Sequence, residues 1–311
     1  MVDIYRRTRD DTLSLKELEL YKLLMDYRAE EGLPDIALSQ ALTTTAGRHA
    51  ADTVQNVGEY VGHNWSDAPY DSGDADTYPN MWQAPERLGT GYTDFGYEIS
   101  TGYVGSSVTS VEMEPDVALS GWQGSPGHNA VIVNSGTWSD LDWGAIGVGM
   151  RDGVAHVWFG EARDGDAPQI KGTSAGDRVS LTRFDDNFVG RGGDDNVKGQ
   201  RGDDLIKGQR GDDTLKGGRG DDELRGGAGN DVLMGGAGED ILVFSSGGGD
   251  DKVRRYGDND LLDLTRVRNV DGFDDLDISR QGNGVLVEAD NTSILLTRTR
   301  IGTIDEDDFL F

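Results

Sequence analysis

The residues most clearly spaced for chemistry are aspartates that recur every nine positions. In Gly226-Gly-Ala-Gly-Asn-Asp231-Val-Leu233-Met, followed in register by Gly235-Gly-Ala-Gly-Glu-Asp240-Ile-Leu242-Val, the sixth residue is acidic and the eighth aliphatic. The register runs back through Gly217, Gly208, Gly199 and Gly190, placing Asp222, Asp213, Asp204 and Asp195 in the sixth column. Leu224, Leu215, Ile206 and Val197 fill the eighth. Asp186 with Phe188 is a worn entry repeat, and Asp251 with Val253 a worn exit repeat. A carboxylate is a hard oxygen donor, so such a column is a row of calcium ligands, while the glycines permit tight turns whose carbonyls point inward. A disordered acidic tail would share the composition, but it has no reason to keep two columns in phase over six consecutive units.

The elements that must position these aspartates are short strands. No single nonapeptide buries its eighth residue alone, so the repeats must stack. In a parallel β-roll successive strands alternate between two sheets, and each turn lies on the turn two repeats away. That predicts the pairs Asp195 with Asp213, Asp204 with Asp222, Asp213 with Asp231, and Asp222 with Asp240. The ninth column reads Lys198, Lys207, Lys216, Arg225 and then Met234, Val243, and the third reads Arg201, Arg210, Arg219 and then Ala228, Ala237. The change to apolar and small residues predicts that the chain after residue 256 covers this end, as solenoid caps do.

Residues 181–264 resemble the RTX, or hemolysin-type calcium-binding, repeat proteins. Phe244, Gly249-Asp-Asp251 and Tyr256-Gly-Asp-Asn-Asp260-Leu-Leu-Asp-Leu264 are similar to the way such arrays end. The resemblance implies Gram-negative type I export through an uncleaved C-terminal signal. The terminus Asp305-Glu-Asp-Asp-Phe309-Leu-Phe311 is similar to such signals. Calcium is then the cofactor and the type I apparatus a partner.

Composition agrees. The chain has 311 residues and a formal net charge of -28. That charge repels nucleic acid and anionic membranes and favours cations as partners. There is no cysteine, so an extracellular life needs a staple other than disulfides, and metal ions serve that role. The N-terminal residues lack the apolar run of a secretory signal and no stretch reaches membrane-spanning length, which argues against Sec-type export, a transmembrane segment and a pore-forming toxin.

The N-terminal half follows other rules. Ser14-Leu-Lys-Glu17 reads as a capping box, and Leu20, Leu23, Leu24 and Tyr27 recur at helical spacing until Gly32-Leu-Pro34. A second helix starts at Ser39, with Leu42, Ala46, His49 and Thr53 on one stripe. Residues 58–96 read as loop, a length that is usually functional. Ile146–Met150 and Val154–Phe159 flank Asp152-Gly153, a hairpin signal. Helices first and a hairpin later predict α+β.

Tyr21 through Pro34, Leu42 through Asp52, His63, the segment Trp122-Gln-Gly-Ser125-Pro-Gly-His128, and Gly147-Val-Gly149 resemble the CAP superfamily over about residues 15–162. This family includes cysteine-rich secretory and plant pathogenesis-related proteins. The resemblance implies an α/β/α sandwich over an open cleft where two histidines and acidic residues can hold zinc or another divalent metal. His63 and His128 are the matching histidines. The family's Gly-Glu-Asn reads Gly96-Tyr97-Glu98-Ile99, so Tyr97 replaces the acid and Glu98 is its neighbour. The second acid of eukaryotic members has no counterpart, and both departures count against catalysis. His49 and His156 read as core residues, and Glu112 and Glu114 beside Pro115 as a solvated helix start.

The expected organisation is a CAP-like domain at 1–163, a polar linker at 164–180, the calcium roll at 181–256, and a cap with secretion signal at 257–311. The fold class is α+β, an N-terminal α/β/α sandwich followed by a parallel β-roll of nonapeptide repeats. The expected function is a secreted calcium-binding protein whose first domain engages an extracellular ligand, a lipid, peptide or cell-surface component. The competing reading is a metal-dependent hydrolase using His63, Glu98 and His128, and a third is a surface or matrix protein. Nucleophilic catalysis has no sequence support, since no serine stands beside a recognisable base.

Overall fold

The computed structural model describes residues 3–6, 11–57, 63–71, 73–102 and 112–311. The chain divides after Gln169 into two units. In the first, Ser14 caps the helix Leu15–Glu30: its hydroxyl accepts from the Glu17 N–H while the Glu17 carboxylate accepts from the Ser14 N–H. Leu20, Tyr21 and Leu24 of that helix are buried. Ser39 caps the second helix, Gln40–Asp52. This helix lies directly on the hairpin Ala145–Arg151 and Val154–Gly160, because glycines remove the intervening side chains. A β-carbon on Gly147 would sit 2.0 Å from the Leu42 carbonyl carbon, and one on Gly149 2.3 Å from that of Ala46.

The hairpin turns through Asp152 and Gly153, both with positive φ (43° and 100°), as its Asp-Gly signal predicts. The four-stranded sheet runs Ala37–Leu38, Ala145–Arg151, Val154–Gly160, Tyr97–Gly102, with the first pair parallel and the others antiparallel. The unit is therefore a mixed α/β domain. In the stretch expected as loop, short helices form at Pro79–Trp82 and Ala84–Arg87, while residues 58–62 and 72 lie outside the described residues. The helix Pro126–Ile132, which carries His128, is tied to the first helix by Tyr27 Oη donating to Asn129 Oδ1 (2.8 Å) and by Arg28 donating to the Ile132 carbonyl (2.5 Å).

The second unit is a parallel β-roll. One sheet runs Asn187–Val189, Leu205–Arg210, Glu223–Ala228, Ile241–Ser245, Leu261–Arg266. The other runs Arg178–Ser180, Asn196–Lys198, Thr214–Arg219, Val232–Ala237, Asp250–Arg254. Ile206 lies opposite Leu224, and Leu215 opposite Leu233, so partners are two repeats apart, as expected. The eighth-column residues Phe188, Val197, Ile206, Leu215, Leu224, Leu233, Leu242 and Val253 are at most 1% exposed, so every strand sends this side chain into the core, with Val189, Val243 and Phe244 buried beside them.

Two sequence expectations are corrected. Within 164–180, expected as a linker, Gln169–Lys171 and Arg178–Ser180 are already strands of the roll. Ile170 and Val179 extend the nine-residue apolar column backwards and are buried (0% and 6% exposed). Polar composition concealed this because one apolar side chain per turn is enough. The second correction concerns the covered end. Val243 is buried and Met234 half-buried in a cavity shared with Thr297 and Arg298, but Ala228 and Ala237 of the third column stay exposed.

After residue 256, Thr292–Thr297 joins Asp250–Arg254 in parallel and carries the antiparallel strands Gly284–Ala289 and Asp277–Gln281. Phe309–Leu310 pairs with Leu261–Arg266 at the end of the other sheet. Both sheets are thus extended by C-terminal strands instead of ending on bare repeat edges. Among the described residues no helix is long and apolar enough to cross a membrane.

Candidate functional site

The sixth-column aspartates form a ladder across the turns. Oδ1 of each accepts from the backbone N–H of the sixth residue two repeats earlier. Asp213 accepts from Asp195 (2.8 Å), Asp222 from Asp204 (2.9 Å), Asp231 from Asp213 (2.8 Å) and Asp240 from Asp222 (3.0 Å). These are the four pairs the spacing predicts. The ladder also runs from Asp177 to Asp195, Asp186 to Asp204, Asp231 to Asp251 and Asp240 to Asp260. Asp177 and Asp260 were not among the residues the sequence singled out as ligands.

The other oxygen is the informative one. Oδ2 of Asp195, Asp204, Asp213, Asp222, Asp231 and Asp240 is buried and, among the described residues, has no hydrogen-bond partner. A buried anion without a donor must take up a proton or a cation. Burial, with the neighbouring Asp186 charge, pushes the Asp204 carboxyl up to about 9. Burial pushes Asp213, Asp222 and Asp251 up to about 7, and Asp231 and Asp240 to about 6. Hard, unpartnered carboxylate oxygens repeated turn by turn fit calcium, which prefers a shell of oxygens.

Sequence reasoning missed a second ladder in the fifth column. The side-chain oxygen of Asp185, Asp194, Asp203, Asp212, Asp221 and Asn230 accepts from the backbone N–H of Asp203, Asp212, Asp221, Asn230, Glu239 and Asp250, respectively, at 2.7–2.9 Å. These bonds are exposed and run in the opposite chain direction to the sixth-column ladder. The signal was present: Asp or Asn occupies the fifth position in turn after turn.

A separate constellation lies in the first unit. Glu98, with a fully buried side chain, is its centre. Oε1 meets Nδ1 of His49 and Nδ1 of His156 (2.6 Å), and Oε2 meets Nδ1 of His63 (2.7 Å). Burial alone would raise the Glu98 pKa, but the facing imidazoles of His49 and then His156, with the hydrogen bonds they make, outweigh it and hold the carboxyl well below its ordinary range. Burial and then the His49 charge lower His156 to about 4, against the pull of Glu98, so its imidazole is neutral at pH 7. His49 stacks on Trp65, with ring centroids 4.0 Å apart.

The histidines are thus sorted differently from the sequence reading. His49 and His156, read as core residues, are fully buried but polar in role, on Glu98 Oε1. His63 reaches Glu98 Oε2 from a partly exposed position. His128 is half-buried and, among the described residues, has no hydrogen bond to Glu98 or His63. Burial and then the His63 charge lower its pKa, while Glu98 raises it, so it lies within electrostatic reach of both. Strand register explains what was missed. Glu98 lies opposite Trp158 and Ser100 opposite His156, which makes Glu98 and His156 diagonal neighbours on the sheet. The donor atoms of His49, Glu98 and His156 all lie within 4.8 Å of one another, so this triad could hold a metal.

Comparison with known proteins supports the repeats and not the first unit. Residues 172–206, 182–215 and 207–242 match the RTX calcium-binding nonapeptide repeat, in four copies. No curated protein matches the chain. Among solved structures, the extracellular lipase LipA from Serratia marcescens is similar at 14% identity and a TM-score of 0.25. That similarity covers 48% of this chain and 41% of the lipase, so the chain spans well under half of the lipase's length. The AlgE6R3 subunit from the Azotobacter vinelandii mannuronan C5-epimerase is similar at 22% identity and a TM-score of 0.30, over 45% of this chain and 80% of that one.

Proposed function

We propose that the chain is a type I-exported extracellular protein whose C-terminal unit folds around calcium and whose N-terminal unit is a CAP-type ligand-binding domain. The ions are assigned to Asp186, Asp195, Asp204, Asp213, Asp222, Asp231, Asp240 and Asp251. Bound calcium supplies the positive charge that the row of buried carboxylates lacks. The observation that carries this reading is the run of six consecutive repeats in which the second carboxylate oxygen is buried with no donor among the described residues. Native mass spectrometry of the full chain in calcium should count several ions per chain and few in equimolar magnesium, which demands a smaller octahedral cage. A chain that retains no calcium refutes the assignment. Removing residues 305–311 should block export through a type I exporter, and undiminished export would remove the terminal signal from the reading.

For the N-terminal unit, the α/β/α sandwich and its cleft remain the reading that best unites His63, His128 and the segment Ser125-Pro-Gly-His128. Its ligand is extracellular, a lipid, peptide or cell-surface component, and native mass spectrometry of freshly exported protein would detect it. One observation favours the competing hydrolase reading: Glu98 Oε2 holds His63 Nδ1 at 2.7 Å, the way carboxylates orient metal-binding or basic histidines. Zinc-dependent turnover of chromogenic esters or peptides that disappears in both His63→Ala and His128→Ala would establish a hydrolase. Ligand retention without turnover would establish a binding module.

A further inference from the structure

We infer that the first unit holds one divalent transition-metal ion between His49 Nδ1, His156 Nδ1 and Glu98 Oε1, a centre apart from the calcium ladder that touches the His63/His128 pair only through the His63 bond to Glu98 Oε2. The inference rests on where hydrogens can be. A backbone carbonyl only accepts, so the 2.9 Å contact between His49 Nε2 and the Asn64 oxygen requires the proton of His49 to sit on Nε2. In a neutral imidazole that leaves a lone pair on Nδ1. This lone pair points at Glu98 Oε1, which is itself only an acceptor when ionised. His156 places Nδ1 on the same oxygen, and its Nε2 lies 3.2 Å from the Thr53 hydroxyl, which donates as well as accepts and so allows the same tautomer without imposing it.

With His156 in the tautomer that ligation needs, three electron-pair donors converge on one point, and all three side chains are 0% exposed. A cation at that point resolves the arrangement. The choice lies between an extra proton, which would make His49 a buried imidazolium, and a metal ion.

The surroundings favour the metal. Each donor group is held from behind: His49 by the Asn64 carbonyl, His156 by the Thr53 hydroxyl, and Glu98 by His63 on Oε2 (2.7 Å). Outer partners of this kind fix ring tautomers at metal centres and aim the ligating nitrogens inward. The donors come from three elements distant in sequence, the helix Gln40–Asp52 and the strands Tyr97–Gly102 and Val154–Gly160. One ion would tie them together in a chain without disulfides. Two imidazoles and one carboxylate oxygen suit zinc, cobalt(II), iron(II) or nickel over calcium or magnesium, and leave a fourth position for water. With metal–ligand bonds of about 2.0–2.2 Å, tetrahedral donors stand about 3.3–3.6 Å apart, so on loading each imidazole nitrogen would draw back from Glu98 Oε1 by about an ångström.

The test uses the full chain, saturated with calcium to occupy the roll, and titrated with cobalt(II). One equivalent should bind, with the visible ligand-field absorption of a four-coordinate nitrogen and oxygen site and a rise in the melting temperature of the first unit. Glu98→Gln and His156→Gln should weaken binding by at least about tenfold, whereas His128→Ala should leave it unchanged. Long-range nitrogen-15 spectra of the wild type should show His49 and His156 protonated on Nε2 alone, and this readout needs no folded variant. The proposal is overturned if no cobalt binds and His49 is protonated on both nitrogens, which identifies a buried ion pair. It is equally overturned if His128→Ala abolishes binding and Glu98→Gln does not, which moves the ion to the cleft pair. Neither outcome bears on whether the first unit binds an extracellular ligand.

Discussion

Replacing Asp222 by asparagine should have opposite effects with and without calcium. Asp222 Oδ1 accepts from the Asp204 N–H at 2.9 Å, and its own N–H donates to Asp240 Oδ1 at 3.0 Å. Asparagine keeps both bonds. It removes the charge on Oδ2, which is buried with no partner among the described residues. In the calcium-free roll burial pushes this carboxyl up to about 7, while in the unfolded chain it titrates near 3.8. The folded state therefore holds the proton longer. Its contribution is fully present below about pH 4 and is lost as pH rises through 7. The gap between the folded and unfolded values is worth at most about 4 kcal/mol, and solvent screening at the turn reduces it to on the order of 1–2 kcal/mol. Asparagine escapes that cost, so it should stabilise the calcium-free turns by this amount.

With calcium the sign reverses. The Asp222 turn stacks between those of Asp204 and Asp240, so up to two ions lose a ligand. At a hundredfold excess over the dissociation constant each ion contributes about 2.7 kcal/mol, so the loss is up to about 5 kcal/mol. Hydrogen exchange of the full chain, read at residues 205–219, should show the variant more protected than wild type in excess chelator and less protected in saturating calcium. Equal loss of protection in both conditions would refute the reasoning and make Asp222 an ordinary turn residue.

In chelator, lowering the pH from 8 to 5 should increase β circular dichroism, because protonation neutralises Asp213, Asp222 and Asp251, whose buried carboxyls lie near 7. The calcium-loaded chain should show no such gain, and a calcium-free spectrum independent of pH would contradict it. Leu224→Ala, at a fully buried position between Ile206 and Leu242, should destabilise the calcium-loaded roll by about 2–5 kcal/mol in urea unfolding. Gly149→Ala should destabilise the first unit by about 1–3 kcal/mol at any calcium concentration, since its β-carbon would meet the Ala46 backbone at 2.3 Å; thermal melts with and without calcium read this directly.

The roll was legible in the sequence because each structural requirement repeats. One aspartate, one aliphatic residue and the glycines return every nine positions, and the period itself sets which turns stack. The edges of the array were less legible. Ile170 and Val179 keep the apolar column where the glycine pattern has already faded, and two extra residues separate Asp231 from its partner Asp251. The histidine centre was legible only in part. His63 stood out through a resemblance, whereas His49 and His156 share the periodicity of core residues, and no pattern distinguishes a buried ligand from a packed ring. Glu98 became central through strand pairing, which places it diagonal to His156, a relation invisible until the register of Tyr97–Gly102 against Val154–Gly160 is known.

The central claim is that the buried aspartate ladder needs calcium to fold. Titrating the full chain with calcium in a defined chelator buffer, while following β circular dichroism, tests it most directly. The expected result is a cooperative gain of β signal with a Hill slope above one, which magnesium does not reproduce. A complete β spectrum already present in excess chelator at neutral pH, and unmoved by calcium, would contradict it.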